Sequence, residues 1–417
     1  MALPGAKTKG GIWRRYSSLS RNVFALSVVS LLNDTSSEII YPLLPAFLAL
    51  ALGASPFAIG VIEGIAESTA SLLKLFSGYL SDRFGTRKWL VFVGYALAAI
   101  TRPFLAYVTT WEQVLIVRTT DRVGKGIRGA PRDALIAESV PAASRGLAFG
   151  FNRAADHLGA VFGPVAAFIL LSIFATNYQS PSIGEYEQVF LFASAPVVLG
   201  LVVIFFFVKD EKKAASDAGE KPPKLTLRGF DSNFKRFLVV IAIFTLSNST
   251  DAFLLLRAGQ SGITPVILPL LWMVLHVSKV TFSLIGGDLS DRVGRKTLII
   301  SGWLVYAVVY VGFAFVTTAW EAWVLFIVYG AYFGLSEGVE KAFVADMVPV
   351  DKHGTAFGLY NLAFGITVFP ASLLFGLAWI QFGAPTAFIA SGCVSLLAIV
   401  LLMTVKAHHH DEAPAQS

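Results

Sequence analysis

The chain has 417 residues, of which 55% are hydrophobic and 14% charged, with a mean hydropathy of +0.67 and a formal net charge of +6. A soluble domain carries about a quarter charged residues, so this composition excludes one and makes lipid the solvent for most of the surface. The single cysteine, Cys393, excludes an intramolecular disulfide, and the positive charge reads as loop anchors on one side of a bilayer rather than as a nucleic-acid surface.

Residues 1–21 form a basic tail ending in Arg14, Arg15 and Arg21, ahead of an apolar stretch too long to be a cleavable signal. A spanning helix needs roughly 20 apolar residues. On that rule the first six segments are predicted at 22–49, 56–80, 89–109, 112–138, 146–174 and 188–208. A charged linker with Pro222 and Pro223 covers 209–234. Six more segments follow at 235–257, 264–287, 298–318, 321–345, 355–379 and 385–405. The tail 406–417 contains His408, His409 and His410. The predicted domains are therefore a bundle over 22–208 and a second over 235–405. The loops around Arg83–Lys88, Arg145, Lys209–Lys224, Arg292–Lys296 and Lys352 are basic, and the alternate loops lack Lys and Arg except for Arg257. Both termini are thus expected in the cytoplasm of a cell whose inner membrane holds the protein.

The two halves repeat. Gly78 to Lys88 matches Gly287 to Lys296, and Leu135 to Gly150 matches Phe343 to Gly358, both at an offset of about 208 residues. Two matches at one offset imply two six-helix bundles related by duplication.

The doubled Asp-Arg-x-Gly stretch resembles the signature loop of the major facilitator superfamily. That resemblance implies an all-α membrane fold of twelve helices in two pseudo-symmetric six-helix bundles, of the efflux-permease type. It also implies a gate formed by Gly78, Asp82, Arg83, Gly85 and Arg87, with Gly287, Asp291, Arg292, Gly294 and Arg295 as its repeat. The plainer reading of these arginines is positive-inside anchoring. Arg122-Val-Gly-Lys125-Gly126 resembles the family's segment 4 motif, with Lys125 where Gln is usual. Gly159, Gly163 and Pro164 resemble its antiporter motif in segment 5, although Ala166 and Ala167 replace the final glycines. This partial match favours export.

Ionisable groups at membrane depth are costly and usually functional. Segment 1 carries Asp34 and Glu38, and segment 2 carries Glu63, Glu67 and Lys74. In segment 4, Arg118, Arg122, Lys125 and Arg132 fall on one helical face, with Arg128 at its edge and Asp121 and Asp133 beside them. This stripe must meet a water-filled cavity or paired carboxylates. Segment 5 adds Asp156 and His157, segment 7 Asp251, segment 8 His276 and Lys279, and segment 10 Glu337, Glu340 and Lys341. At the repeat offset His276 falls opposite Glu67. Substrate or proton coupling is expected of these groups, and the plainer alternative is a static buried network. Glycines 124, 126 and 129 with Pro131 in segment 4, and Pro42 and Pro45 in segment 1, mark either bent cavity-lining helices or close packing.

No nucleotide-binding loop, metal motif or nucleophile elbow is present, so neither a cofactor nor catalysis is expected. The leading expectation is a proton-coupled exporter of a small organic compound, sufficient as a monomer. A second is a divalent transition-metal exporter, with Asp34, Glu38, Glu63, Glu67 and His276 as ligands. Its His408–His410 tail resembles that of nickel-resistance exporters of the superfamily. A third is a sensor or lipid-handling protein without turnover.

Overall fold

The computed structural model describes residues 19–84, 87–141, 144–210, 226–349 and 352–406, with the side chains at 79–80, 82–84, 287–288 and 290–291 outside the description. The first half comprises α1 (Arg21–Ala51), α2 (Pro56–Phe84), α3 (Arg87–Phe104), α4 (Trp111–Glu138), α5 (Arg145–Phe174) and α6 (Ile183–Phe207). The second comprises α7 (Ser232–Gln260), α8 (Leu268–Val293), α9 (Arg295–Phe315), α10 (Ala319–Asp346), α11 (His353–Phe382) and α12 (Ala384–Met403). Eleven of these spans are long and apolar enough to cross a membrane. The other, α4, has the length, about 42 Å at 1.5 Å per residue. What it lacks is apolarity, because it carries the basic stripe.

Local chemistry sets the ends. Thr110 with Gln113, Ser182 with Glu185 and Thr318 with Glu321 form capping boxes that start α4, α6 and α10. The Ser182 box starts α6 at Ile183 rather than 188. Helix α2 runs on to Phe84 and α8 to Val293, so Gly78, Asp82 and Arg83, like their repeat, lie in helix rather than in the loop beyond it. Arg257, the one Lys or Arg expected on the side whose loops otherwise lack them, lies near the end of α7 and donates to the carbonyls of Phe313, Ala314 and Val316. It caps the C-terminal end of α9, where a cation meets the negative end of the helix dipole.

Two spans are irregular. After Ile40, α1 tightens into a 3-10 turn over Tyr41–Leu43 and ends as a π-helix over Phe47–Ala51, where Pro42 and Pro45 deny backbone donors. Helix α7 breaks at Asn248–Asp251 without a proline or glycine. Its freed carbonyls are taken up by α9, since Tyr306 donates to Ser247 O at 2.5 Å and Tyr310 to Ser249 O at 3.5 Å. Thr250 N donates to Ser372 Oγ of α11 at 3.2 Å. Unpaired backbone groups are not tolerated at membrane depth, so these side chains are what make the break possible. Helix α4, by contrast, runs unbroken through Pro131. Its Gly124 and Gly126 sit where an added Cβ would lie 2.4 Å from Gly94 O of α3 and 2.5 Å from Leu73 Cβ of α2. They serve close packing rather than a bend.

The repeat is visible in individual bonds. Asn22 at the start of α1 donates to Lys209 O and accepts from Lys209 N after α6, each at 2.9 Å. Asn233 at the start of α7 does the same with Lys406 after α12. Arg87 pairs with Glu138 at 2.9 Å, and Arg295 pairs with Asp346 at equivalent positions. Arg145 donates to Ala137 O, and its counterpart His353 meets Ala345 O. Each half is thereby closed into a ring, its first helix tied to its last.

Candidate functional site

We call the face at which α1 begins the terminal face, and the other the distal face. At the distal face the halves are in contact. Helix α2 lies against α11 over roughly its first four turns, from Pro56 against Gly376 to Ser68, which donates to Gly365 O at 2.5 Å. The approach is backbone to backbone: a Cβ on Gly60 would lie 2.4 Å from Ser372 O, and one on Gly64 3.1 Å from Phe369. Tyr41 packs at a tilt of 42° against Trp272 with ring centroids 4.9 Å apart, and its hydroxyl lies 3.5 Å from Thr250 Oγ1. Toward the terminal face this packing is absent at the glycines: a Cβ on Gly146, Gly150, Gly338 or Gly354 would meet nothing within 4 Å. The distal contact between α2 and α11 is thus the closest approach of the two halves that these glycines record.

Below the seal, the first half carries a layered network. Arg118 forms a double hydrogen bond to Glu63 of α2, at 2.9 and 2.8 Å, with both residues buried. One turn further, Arg122 Nη2 lies 3.0 Å from Glu67, and its buried Nε has no partner among the described residues. Asp121 turns the other way, to Arg102 of α3 at 3.1 Å. Arg102 also donates to the carbonyl and side chain of Asn33 in α1. Arg128 donates to Gly94 O and Asn33 Oδ1 and lies 4.4 Å from the Tyr95 ring centroid, with no carboxylate partner among the described residues. Arg132 is held by Asp133 at 3.1 Å, Ser30 at 3.0 Å and, more loosely, Asp156 at 3.9 Å.

The predicted basic stripe is therefore mostly compensated. What remains facing the interior is Lys125, exposed and without an ion pair among the described residues, and His157, also exposed. Asp34 accepts from Asn33 at 2.9 Å and pairs with no described cation. Gly159 and Gly163 seat α5 on the stretch of α1 that carries Asp34 and Glu38, because a Cβ on Gly163 would lie 2.5 Å from Glu38 Cβ. Pro164 follows inside α5.

Glu38 reaches across to the second half. It accepts from Trp272 Nε1 at 2.7 Å, and His276 Nε2 lies 3.5 Å from the same oxygen. This contact joins the two halves, and His276 Nε2, 3.5 Å from Glu38, makes no hydrogen bond among the described residues. His276 thus faces Glu38 rather than Glu67, because the repeat offset relates equivalent places and not partners across the interface. In the second half Asp251 accepts from Tyr329 at 2.7 Å and lies 4.0 Å from Lys279. A cavity of about 280 Å³ opens among α7, α10 and α11, lined by residues that include Asn248, Tyr332, Glu337, Glu340 and Tyr360. Glu337 is exposed and pairs with Lys341, whereas Glu340 is buried, accepting from Trp303 at 2.9 Å and Tyr360 at 2.7 Å.

The metal-ligand set does not assemble. Glu63 and Glu67 are committed to arginines, and among the described residues no three His, Cys, Asp or Glu side chains converge. His408, His409 and His410 lie outside the described residues.

The sequence profile of the Major Facilitator Superfamily matches residues 26–366 and 237–417. The chain belongs to the major facilitator superfamily. It is 33% identical over 393 residues to an uncharacterized MFS-type transporter of Methanocaldococcus jannaschii, covering 93% of this chain and 95% of that one. It is also 24% identical over 324 residues to the multidrug resistance protein MdtG of Citrobacter koseri, covering 75% and 76%. Its fold matches the crystal structure of a D-xylose-proton symporter with a TM-score of 0.71 at 18% identity, covering 92% and 97%. At that identity the match speaks for the fold alone.

Of the superfamily gate, the side chains of Asp82, Arg83 and Asp291, and Gly85 altogether, lie outside the description. Gly294 adopts φ +91°, a conformation other residues rarely take, at the turn into α9. Arg87 and Arg295 brace α3 to α4 and α9 to α10 within their halves, and Arg292 is exposed. Sequence reasoning missed Arg102 as the partner of Asp121, and Trp272, Trp303 and Tyr360 as carboxylate donors. For Arg102, a lone arginine inside an otherwise apolar segment was the available signal.

Proposed function

We propose that this superfamily member is a proton-coupled exporter of a small organic compound. In this reading the bundles 22–208 and 235–405 rock about the midplane, and the terminal face is cytoplasmic in the cell's inner membrane. The observation that carries the reading is the Glu38–His276 contact, which bridges the halves where the distal face is sealed. Neutralising Glu38 by a proton removes the charge that holds His276 and Trp272, and Lys279 stands behind them on α8. The charge state of one carboxylate is then tied to which face is closed, the linkage an exchanger needs. Export is supported by the α1–α5 glycine contact at the antiporter-like motif.

The test is gradient-driven uptake into everted vesicles, run beside substrate counterflow with no gradient. Glu38→Gln is expected to abolish stimulation by an imposed proton gradient while leaving counterflow within about threefold of wild type, since the glutamine keeps the acceptor for Trp272. Gradient stimulation that survives in the variant would remove Glu38 from the coupling step.

A further inference from the structure

The cavity between α7, α10 and α11 has a chemistry that the transport reading does not specify. Its walls are aromatic: Phe244, Tyr332, Phe333, Tyr360 and Phe364. Its charged groups are Glu337, Glu340 and Lys341. Lys341 is matched to Glu337 at 3.7 Å, and Lys279 behind the wall is matched to Asp251 at 4.0 Å. Glu340 is the carboxylate left over. It is 7% exposed, receives two neutral donors, and has no Lys, Arg or His within ion-pair distance among the described residues.

Two hydrogen bonds orient a carboxylate but leave its charge uncompensated, and such a group deep in a membrane protein takes up either a proton or a counter-charge. The surrounding rings accept one. An ammonium is attracted to the face of an aromatic ring, and Lys279 already lies 3.4 Å from the Phe333 centroid. Asn248 and Asn361 supply carbonyl acceptors at the same cavity. The volume, about 280 Å³, lies just below the roughly 300 Å³ at which pockets for drug-sized ligands begin, so the ligand must be small.

We propose that this cavity binds a small organic ammonium with an apolar or aromatic body, its charge against Glu340 and its body between the tyrosine and phenylalanine walls. The inference rests on the transport reading only for the supposition that the ligand is cargo. The buried acid is not repeated in the first half. At the position equivalent to Glu340 the first half has Arg132, already held by Asp133 and Ser30.

The experiment is calorimetric titration of the purified full chain in detergent with phenethylamine and with its neutral analogue 2-phenylethanol. Phenethylamine is expected to bind about tenfold or more tightly than the alcohol. Glu340→Gln is expected to weaken the amine by about thirtyfold and leave the alcohol unchanged. Glu337→Gln, at an exposed position, is expected to weaken the amine by about threefold with an unchanged melting temperature, which keeps the test valid if Glu340→Gln misfolds. Equal binding of amine and alcohol, no binding of either, or an amine affinity untouched by both variants would overturn the site. Amine binding without gradient-dependent flux would leave the site standing and remove the transport reading. Gradient-dependent flux of other solutes with no amine binding would do the reverse.

Discussion

Arg118→Met is expected to lower the stability of the protein by about 3–5 kcal/mol. Glu63 and Arg118 are 1% and 4% exposed, and their double hydrogen bond is the main compensation for both charges. Methionine fills a similar volume but strands the Glu63 carboxylate where no water reaches it. The double variant Arg118→Met with Glu63→Gln is expected to recover most of the loss, because the stranded charge and not the missing bond dominates. Thermal melting of purified protein reads both. A single variant that melts like wild type would show that Glu63 has another partner or access to water. The next pair along, Arg122 and Glu67, should behave differently. Glu67 is a third exposed, so Arg122→Gln is expected to cost about 1 kcal/mol or less in stability while impairing transport.

Gly60→Val is expected to act on conformation rather than on folding. The Cβ would lie 2.4 Å from the Ser372 carbonyl and 3.3 Å from the Phe253 ring, both in the second half. A backbone carbonyl cannot swing aside, so α2 and α11 must part. Overpacking of this kind costs roughly 1–3 kcal/mol, and it is incurred only while the distal face is sealed. The equilibrium should therefore move toward the distally open state by about one to two orders of magnitude. Spin labels at Ser55→Cys and Gln381→Cys, exposed positions beside the two helix ends, would report it in a Cys393→Ser background. The distance distribution should shift to longer separations, and transport should slow at least severalfold. A distribution like that of Gly60 protein would mean that the helices accommodate the side chain without parting.

The twelve spans and the repeat were legible in the sequence because both rest on local chemistry. Hydropathy gives length, Pro42 and Pro45 announce the irregular end of α1, and Arg87 with Glu138 recurs as Arg295 with Asp346 at one offset. Partnerships were less legible. A helical wheel placed Arg118 and Arg122 on one face correctly, but it cannot say that Asp121 meets an arginine on α3. It could not separate Glu337 from Glu340, three residues apart on an acidic helix, one exposed and the other buried under Trp303 and Tyr360. The break in α7 left no mark because its causes, Tyr306 and Tyr310, lie about 60 residues away on another helix. Residues acting across the two halves, such as Glu38 and His276, were the least accessible, since no periodicity relates them.

The paired asparagine clasps bear on how the protein could be assembled. Asn22 fastens the end of α6, and Asn233 fastens the end of α12, so neither closure depends on the peptide between Asp210 and Thr226. Cutting the gene there and translating the pieces from separate start codons would leave each fragment with both ends of its own loop. Such fragments should insert independently and meet in the bilayer as a two-chain transporter, held by the α2–α11 contact that the single chain already uses.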